Sequence, residues 1–288
     1  MEATAVSGAI CPLCGRPTRP RFMKPPWEVR RCGRCRLEFT VGDWSPAAAR
    51  TFYGSDYFVG HGATGYTDYP SLDAALRRTA RRRLAELPTG ARLLDIGCAS
   101  GAFLAEAHAR YRVVGTDISF DACQVAAERG IPVIVAEAAA LPFPAGSFDV
   151  VTMWDTIEHL ADPRAALSEV ARVLRPGGTV ALTTGDVRSW CRRLSGKRWH
   201  LYTLPEHRYF FSAVTLDQLL SEAGLRPVAC KRDGGWYSLA YVVERLAKTL
   251  MGSARSVSPL LHSAALRNTM LYVNLFDIML VRASKPRQ

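Results

Sequence analysis

From residue 91 onward the chain alternates short apolar runs with amphipathic stretches, and this alternation narrows the possible folds more than any other feature. ARLLDI, YRVVGTD, IPVIVA, FDVVTMW and TVALTTG have the length and β-branched content of strands, whereas AFLAEAHAR, FDACQVAAERG and RAALSEVARVL repeat apolar residues at helical spacing. Such alternation calls for a parallel α/β sheet covered on both faces, because right-handed crossovers lay each helix back over the strands. Ligands then sit at the carboxyl ends of the strands. Ahead of this core the pattern predicts a helix over 71–87, stopped by Pro88 and Gly90. Behind it the pattern predicts a helix over 216–223, a strand over 225–231, a mostly helical insertion over 236–272 and a last strand in LYVNLFDIMLVRA.

The first strand runs into LLDIGCASG, a turn of small residues. A pyrophosphate site wants G-x-G-x-x-G and a P-loop wants G-K-[ST]; neither occurs here, so the turn serves a ligand that needs backbone room without a phosphate cradle. Ala99 occupies its centre, which the turn tolerates provided that position does not need a positive φ.

Four of the eight cysteines form CPLC (Cys11, Cys14) and CGRC (Cys32, Cys35), a spacing suited to one tetrahedral ion. Four thiolates leave no open coordination position, so the ion should be structural; Zn²⁺ is expected, with iron in a rubredoxin-like site, two unrelated redox pairs or a disulfide staple as the alternatives. Between this ribbon, 1–44, and the sheet lies an aromatic linker and helix, 45–90. Its Tyr57, Phe58, Tyr66 and Tyr69 either cover a ligand or pack ribbon against sheet. The formal charge of +11 favours phosphate-rich partners, but the basic residues are scattered. The densest group, Arg77, Arg78 and Arg81 to Arg83, reads as a solvated helix face. The chain opens without a secretory or transit signal, and the most apolar late stretch carries Asn274 and Asp277. A cytoplasmic protein without a transmembrane segment is expected; its oligomeric state is not encoded in these patterns.

In order, LLDIGCASG, VVGTDIS, VIVAEAAALPFPAGSFDVV, FDVVTMWDTIEHLADP and LRPGGTVALTT resemble the motifs of class I S-adenosylmethionine-dependent methyltransferases, with small-molecule, ubiquinone-type O-methyltransferases among the relatives. Ala99 replaces the middle glycine of the family's D-x-G-x-G-x-G. The resemblance is close over 75–232 and implies a Rossmann-like, mostly parallel seven-stranded sheet over 91–288, with a small zinc ribbon in front. It also implies cofactor contacts from Asp95, Gly97, Ala99, Gly101, Asp117, Ile118, Glu137, Ala138 and Trp154. Asp117 is suited to a ribose diol, and Glu137 and Ala138 to adenine.

For the acceptor, the Glu158–His159 pair matches ubiquinone-type relatives. GKRWHLYTLPEHRYFFS resembles the P-x-H-x-x-x-F-S segment of bacterial methyltransferases with N-terminal cysteine pairs, a wall or lid over 186–212. His207 and then His159 are the candidate general bases, with Glu206 and His200 in reserve; the alternative is that His159 orders a helix start and His207 fastens a loop. The expected activity is O-methylation of a small molecule, a sugar-bearing or other specialised metabolite as in natural product biosynthesis. Its rivals are an RNA methyltransferase using ribbon and basic surface, and a non-catalytic zinc-ribbon interaction protein.

Overall fold

The structure, a computed structural model, describes residues 9–42, 69–251 and 263–287. Strands β1 (Thr18–Lys24), β2 (Trp27–Cys32) and β3 (Glu38–Val41) form an antiparallel ribbon. Helix α1 (Tyr69–Ala85) leads into the main domain, close to the helix expected over 71–87. There follow β4 (Arg92–Ile96), α2 (Ala102–Ala107), β5 (Arg112–Asp117), α3 (Phe120–Glu128), β6 (Val133–Val135), β7 (Phe148–Trp154), α4 (Pro163–Val173) and β8 (Leu174–Gly185). After β8 come α5 (Trp190–Ser195), β9 (Tyr209–Phe210), α6 (Ala213–Glu222), β10 (Arg226–Ser238), α7 (Leu239–Met251), α8 (Ala264–Asn268) and β11 (Met270–Ser284).

The main sheet has seven strands in the order β10-β11-β8-β7-β4-β5-β6, with β6, β5, β4, β7 and β8 parallel and β11 antiparallel to both its neighbours. The expected α/β architecture is therefore present. β4 pairs with β5 on one side and β7 on the other, so the chain reverses its winding there and opens a crevice beyond their carboxyl ends. Because helices cover both faces, the central strands carry apolar residues toward each of them: Leu93, Leu94 and Ile96 are all buried. On one face Leu94, Val151, Met153 and Leu182 pack with Leu167 and Val170 of α4 and Leu216 of α6. On the other, Leu93 and Val150 meet Leu104, Ala107 and Ala126, and Ala80 and Leu84 of α1 join them.

Three features depart from expectation. β10 continues through Asp233-Gly234-Gly235 to Ser238, so the start of the expected insertion is strand, and its described helices are α7 and α8. The ribbon is not separate: β9, inside the expected lid, pairs with β3 (Glu38↔Phe210, Phe39↔Tyr209), and Cys11, Cys32, Leu37 and Phe39 belong to the main core cluster. The arginines of α1 form a solvated face only in part: Arg77, Arg78 and Arg81 are exposed, with Arg77 and Arg81 reaching Glu106 and Arg78 over Trp236, whereas Arg82 and Arg83 reach the buried Asp233. Tyr57, Phe58 and Tyr66 fall outside the described residues, and Tyr69 opens α1. Among the described residues no helix is long and apolar enough to cross a membrane.

Candidate active site

The turn after β4 is built from left-handed backbone, with Gly97 at φ 73°, Ala99 at 46° and Gly101 at 76°. Gly97 is required twice over, because a Cβ there would also stand 2.6 Å from Cγ2 and Oγ1 of Thr156. The proviso attached to Ala99 is thus not met: the alanine occupies the left-handed region, at a cost of about 1–2 kcal/mol. Asp117 holds it there. The Ala99 N–H donates to Asp117 Oδ2 at 2.9 Å, and the Ser119 N–H donates to Oδ1 at 2.9 Å. An ionised carboxylate offers about four acceptor sites, so each oxygen can still accept from a ligand.

This turn floors a cavity of about 510 Å³ at the switch point. Asp95, Gly97, Ala99, Asp117, Ile118, Glu137, Ala138 and Trp154 line it, whereas Gly101 stands behind, donating its N–H to Cys98 O at 2.9 Å and starting α2. Asp95 is buried and accepts from Thr152 Oγ1 at 2.7 Å; burial pushes its pKa up to about 7 against the pull of that bond and of Arg83. Burial likewise raises Asp117. Phe103 meets the Trp154 ring edge-on at 5.2 Å and Arg83 lies over it at 5.1 Å. The Trp154 Nε1 is buried without a hydrogen-bond partner among the described residues.

The other end of the cavity was legible in the sequence only at His159. It is lined by Thr79, Ala80 and Arg83 of α1, by Asp155 and His159 beyond β7, and by Arg208. Asp155, at φ 51°, accepts from Thr183 Oγ1 at 2.9 Å and from Arg83 Nη2 at 2.9 Å. Burial opposes the Arg83 charge, but Asp155 and Asp233 outweigh it and hold the guanidinium well above its ordinary pKa. A signal for Arg83 was present in the arginine cluster, but helical spacing alone does not say which of five arginines turns inward.

His159 lines the cavity and His207 stands behind it, the two rings edge to face at 4.7 Å. Both orient through backbone carbonyls: His159 Nδ1 is 3.0 Å from Glu206 O and His207 Nδ1 is 2.7 Å from Leu201 O. A carbonyl only accepts, so Nδ1 carries the proton in each ring and Nε2 is the acceptor nitrogen. Packing desolvates both rings. It lowers His159 to about 4, while for His207 desolvation and then His159 bring the value to about 3, so both are neutral near pH 7. Glu158, adjacent to His159, is buried, and burial with the neighbouring Asp155 charge raises it to about 8. The reserve residues lie elsewhere. Glu206 presents its carbonyl to His159 and is not among the cavity-lining residues, and His200 sits 3.6 Å from Asp277, away from the lining.

The ribbon strand β3 grips this wall at both ends. Thr40 donates its N–H to Arg208 O at 2.8 Å and its hydroxyl to His207 O at 3.0 Å, while Glu38, fully buried, accepts from Tyr202 Oη at 2.6 Å and Arg192 Nη2 at 3.1 Å. Arg208 in turn donates its N–H to Glu158 O at 2.9 Å. Below β3 the four ribbon cysteines bring their sulfurs within 4.8 Å of one another, with Cys11–Cys35 at 3.5 Å and Cys14–Cys32 at 3.4 Å. Those separations far exceed a disulfide bond and approach the roughly 3.8 Å edge of a tetrahedron with metal–sulfur bonds near 2.3 Å.

Known proteins resemble part of this chain. A ubiquinone biosynthesis O-methyltransferase of Thiobacillus denitrificans is 36% identical over 152 residues, 47% of this chain and 65% of that one. A demethylmenaquinone methyltransferase of Corynebacterium urealyticum is 36% identical over 111 residues, 38% of this chain and 48% of that one. The chain thus spans about half to two thirds of the length of these curated relatives. Among solved structures, a SAM-dependent methyltransferase from Archaeoglobus fulgidus superposes with a TM-score of 0.53 at 20% identity, over 74% of this chain and 94% of that one, a likeness of fold. Residues 71–229, more than half of the chain, match a family model described as a methyltransferase domain; the chain belongs to that family and carries its S-adenosylmethionine-dependent methyltransferase domain.

Proposed function

We propose that the protein transfers a methyl group from S-adenosylmethionine to an oxygen of a small molecule, a sugar-bearing or other specialised metabolite. The observation that carries this reading is one cavity with two unlike ends: a left-handed turn with Asp95, Asp117, Ile118, Glu137, Ala138 and Trp154, facing a wall with a neutral histidine. Asp117 would hold the ribose diol, Glu137 and the Ala138 N–H the adenine, and the 97–101 turn the methionine part. The cofactor supplies an electrophilic sulfonium methyl; the chain must align the acceptor oxygen in line with it and take up the acceptor's proton. His159 Nε2 is the better placed base, because His159 lines the cavity and His207 lies behind it. A base near pKa 4 is weak, so most of the acceleration comes from alignment, with His207 as a positioning residue. The printed name of the ubiquinone biosynthesis O-methyltransferase relative supports an O-methyl acceptor.

Cys11, Cys14, Cys32 and Cys35 would hold structural Zn²⁺ and thereby fix β3 under the acceptor wall. The described ribbon residues 9–42 then act as a built-in brace and 186–212 as the wall.

Methyl-labelled cofactor incubated with small-molecule and RNA fractions tests the reading. Label in an alkali-stable ether of a small molecule is expected; label in RNA, with binding that falls steeply with salt, overturns it. Failure to bind cofactor at all would instead favour a non-catalytic role. Within the enzyme, His159→Ala should lower kcat by about 10²-fold or more while leaving cofactor Kd within a factor of about 2, and wild-type kcat would remove the base.

A further inference from the structure

Away from the cavity, β11 carries an irregularity that the methyl-transfer reading does not use. Asp233 pairs with Ile278 and Gly235 with Val273, so Gly234 alone faces Asn274-Leu275-Phe276-Asp277 and the four residues are pushed out of the ladder. Gly234 makes this possible, because a Cβ there would stand 2.4 Å from Val273 O and 2.8 Å from Asn274 Cβ. The bulge is rigidly held. Asp277 is buried, accepts from Trp199 Nε1 at 2.7 Å through its side chain and from the Asp186 N–H at 2.7 Å through its carbonyl, while Asn274 Oδ1 accepts from the Phe276 N–H at 2.8 Å. Phe276 is thereby fixed at φ 56°, a backbone state a bulky residue avoids, with its side chain in solvent.

Cys191 of α5 lies within 4.8 Å of Asp277, which brings the neighbours of both residues onto one region of surface. Those neighbours are apolar and exposed: Trp190 by 74%, Leu194 by 86%, Leu275 by 50% and Phe276 by 65%. Single exposed apolar residues need no explanation, but four displayed by two anchored segments do. The exposed charge of the 187–205 segment has one sign. Arg188, Arg193, Lys197 and Arg198 are exposed, Arg193 lies over the Trp190 ring at 5.1 Å, and no acidic residue occurs from 187 to 205.

We infer that this surface, α5 with the Asn274–Asp277 bulge, docks the protein on an anionic lipid bilayer. Cations over a Trp and aliphatic side chains match the headgroup and the acyl boundary of such a surface. A nucleic acid would use the cations and the rings but leave Leu194 and Leu275 without a partner, and an apolar protein groove would not call for four exposed cations. The inference does not rest on the acceptor assigned above, since it is read by binding alone.

The test is cosedimentation of the full chain with phosphatidylcholine vesicles, with and without phosphatidylglycerol, at low and high salt. Binding to the phosphatidylglycerol vesicles only, weakened by salt, is expected. Leu194→Ser with Phe276→Asn should weaken it by about tenfold or more, and Arg193→Gln with Lys197→Gln to a similar degree. Asn tolerates the left-handed backbone at 276, and unchanged cofactor affinity verifies that each variant is folded. No binding to anionic vesicles, or binding that survives loss of Leu194 and Phe276, overturns the inference. So does preferential retention on RNA or on a protein partner that excludes the vesicles.

Discussion

Substituting Ala99 tests whether the turn that floors the cavity stores strain. At φ 46° an L-residue carries about 1–2 kcal/mol that glycine does not. Glycine is more flexible in the unfolded chain, which takes back about 0.4–1 kcal/mol. The lost methyl is only partly buried, so little packing enters. Ala99→Gly should therefore stabilise the protein by roughly 0.5–1 kcal/mol. Ala99→Val should do the opposite, losing about 1–3 kcal/mol, because a β-branched side chain is worse tolerated in the same backbone. Urea unfolding of the three proteins reads the series as a shift in midpoint at constant slope. The order Gly, Ala, Val is diagnostic. A destabilised glycine variant beside a neutral valine variant would mean that the Asp117 bond to the Ala99 N–H does not hold this residue left-handed in solution.

Gly97→Ala meets both an unfavourable φ and the Thr156 side chain, and should cost about 2–4 kcal/mol and abolish cofactor binding by calorimetry; adding Thr156→Ala should recover the steric part only. Thr40→Val removes the hydroxyl bond to His207 O, and chelation of the ribbon ion should act on the same wall, so both should speed hydrogen exchange of amides at 207–210; unchanged exchange would uncouple ribbon from site. The pH profile of stability has a worked sign. Glu158 and Asp95, raised to about 8 and 7, keep protons in the folded chain that the unfolded chain has already released, so their contribution is complete below about pH 4 and lost as pH rises through 7–8. His159 and His207, lowered to about 4 and 3, lose stability as pH falls from about 6.5 toward 3. The two pairs nearly cancel between about pH 4.5 and 6.5, and the alkaline limb above that range should flatten in Glu158→Gln by up to about 1.4 kcal/mol per pH unit; an unaltered limb would remove Glu158 as its source.

The parallel core and the placement of Asp95 and Asp117 at the cavity were legible because each depends on local pattern: buried strands read as apolar runs, and the two acids fall at strand ends. The acceptor end depends on pairings far apart in sequence. Nothing in the two residues of β9 announces that Glu38 and Phe39 lie across from them, and the GG of β10 reads as a turn until β11 supplies its bulge. Arg83 was hidden by its neighbours, since solvation of Arg81 and burial of Arg83 follow from which element covers α1. The inverted placement of the histidines, with His159 at the cavity and His207 behind, follows from the carbonyls of Glu206 and Leu201, which side-chain identity does not encode.

The pairing of β3 with β9 also sets an order of events during synthesis. Phe39 leaves the ribosome about 170 residues before its partner Tyr209, a delay of roughly 10–35 s at ordinary elongation rates. Throughout that interval the nascent ribbon presents a bare strand edge, the kind of edge that recruits foreign strands. A chain stalled before residue 209 should accordingly show rapidly exchanging β3 amides on that edge, and an excised ribbon should inherit the same stickiness permanently. Cutting the molecule at the end of its cysteine motif would not release a module; it would open a seam.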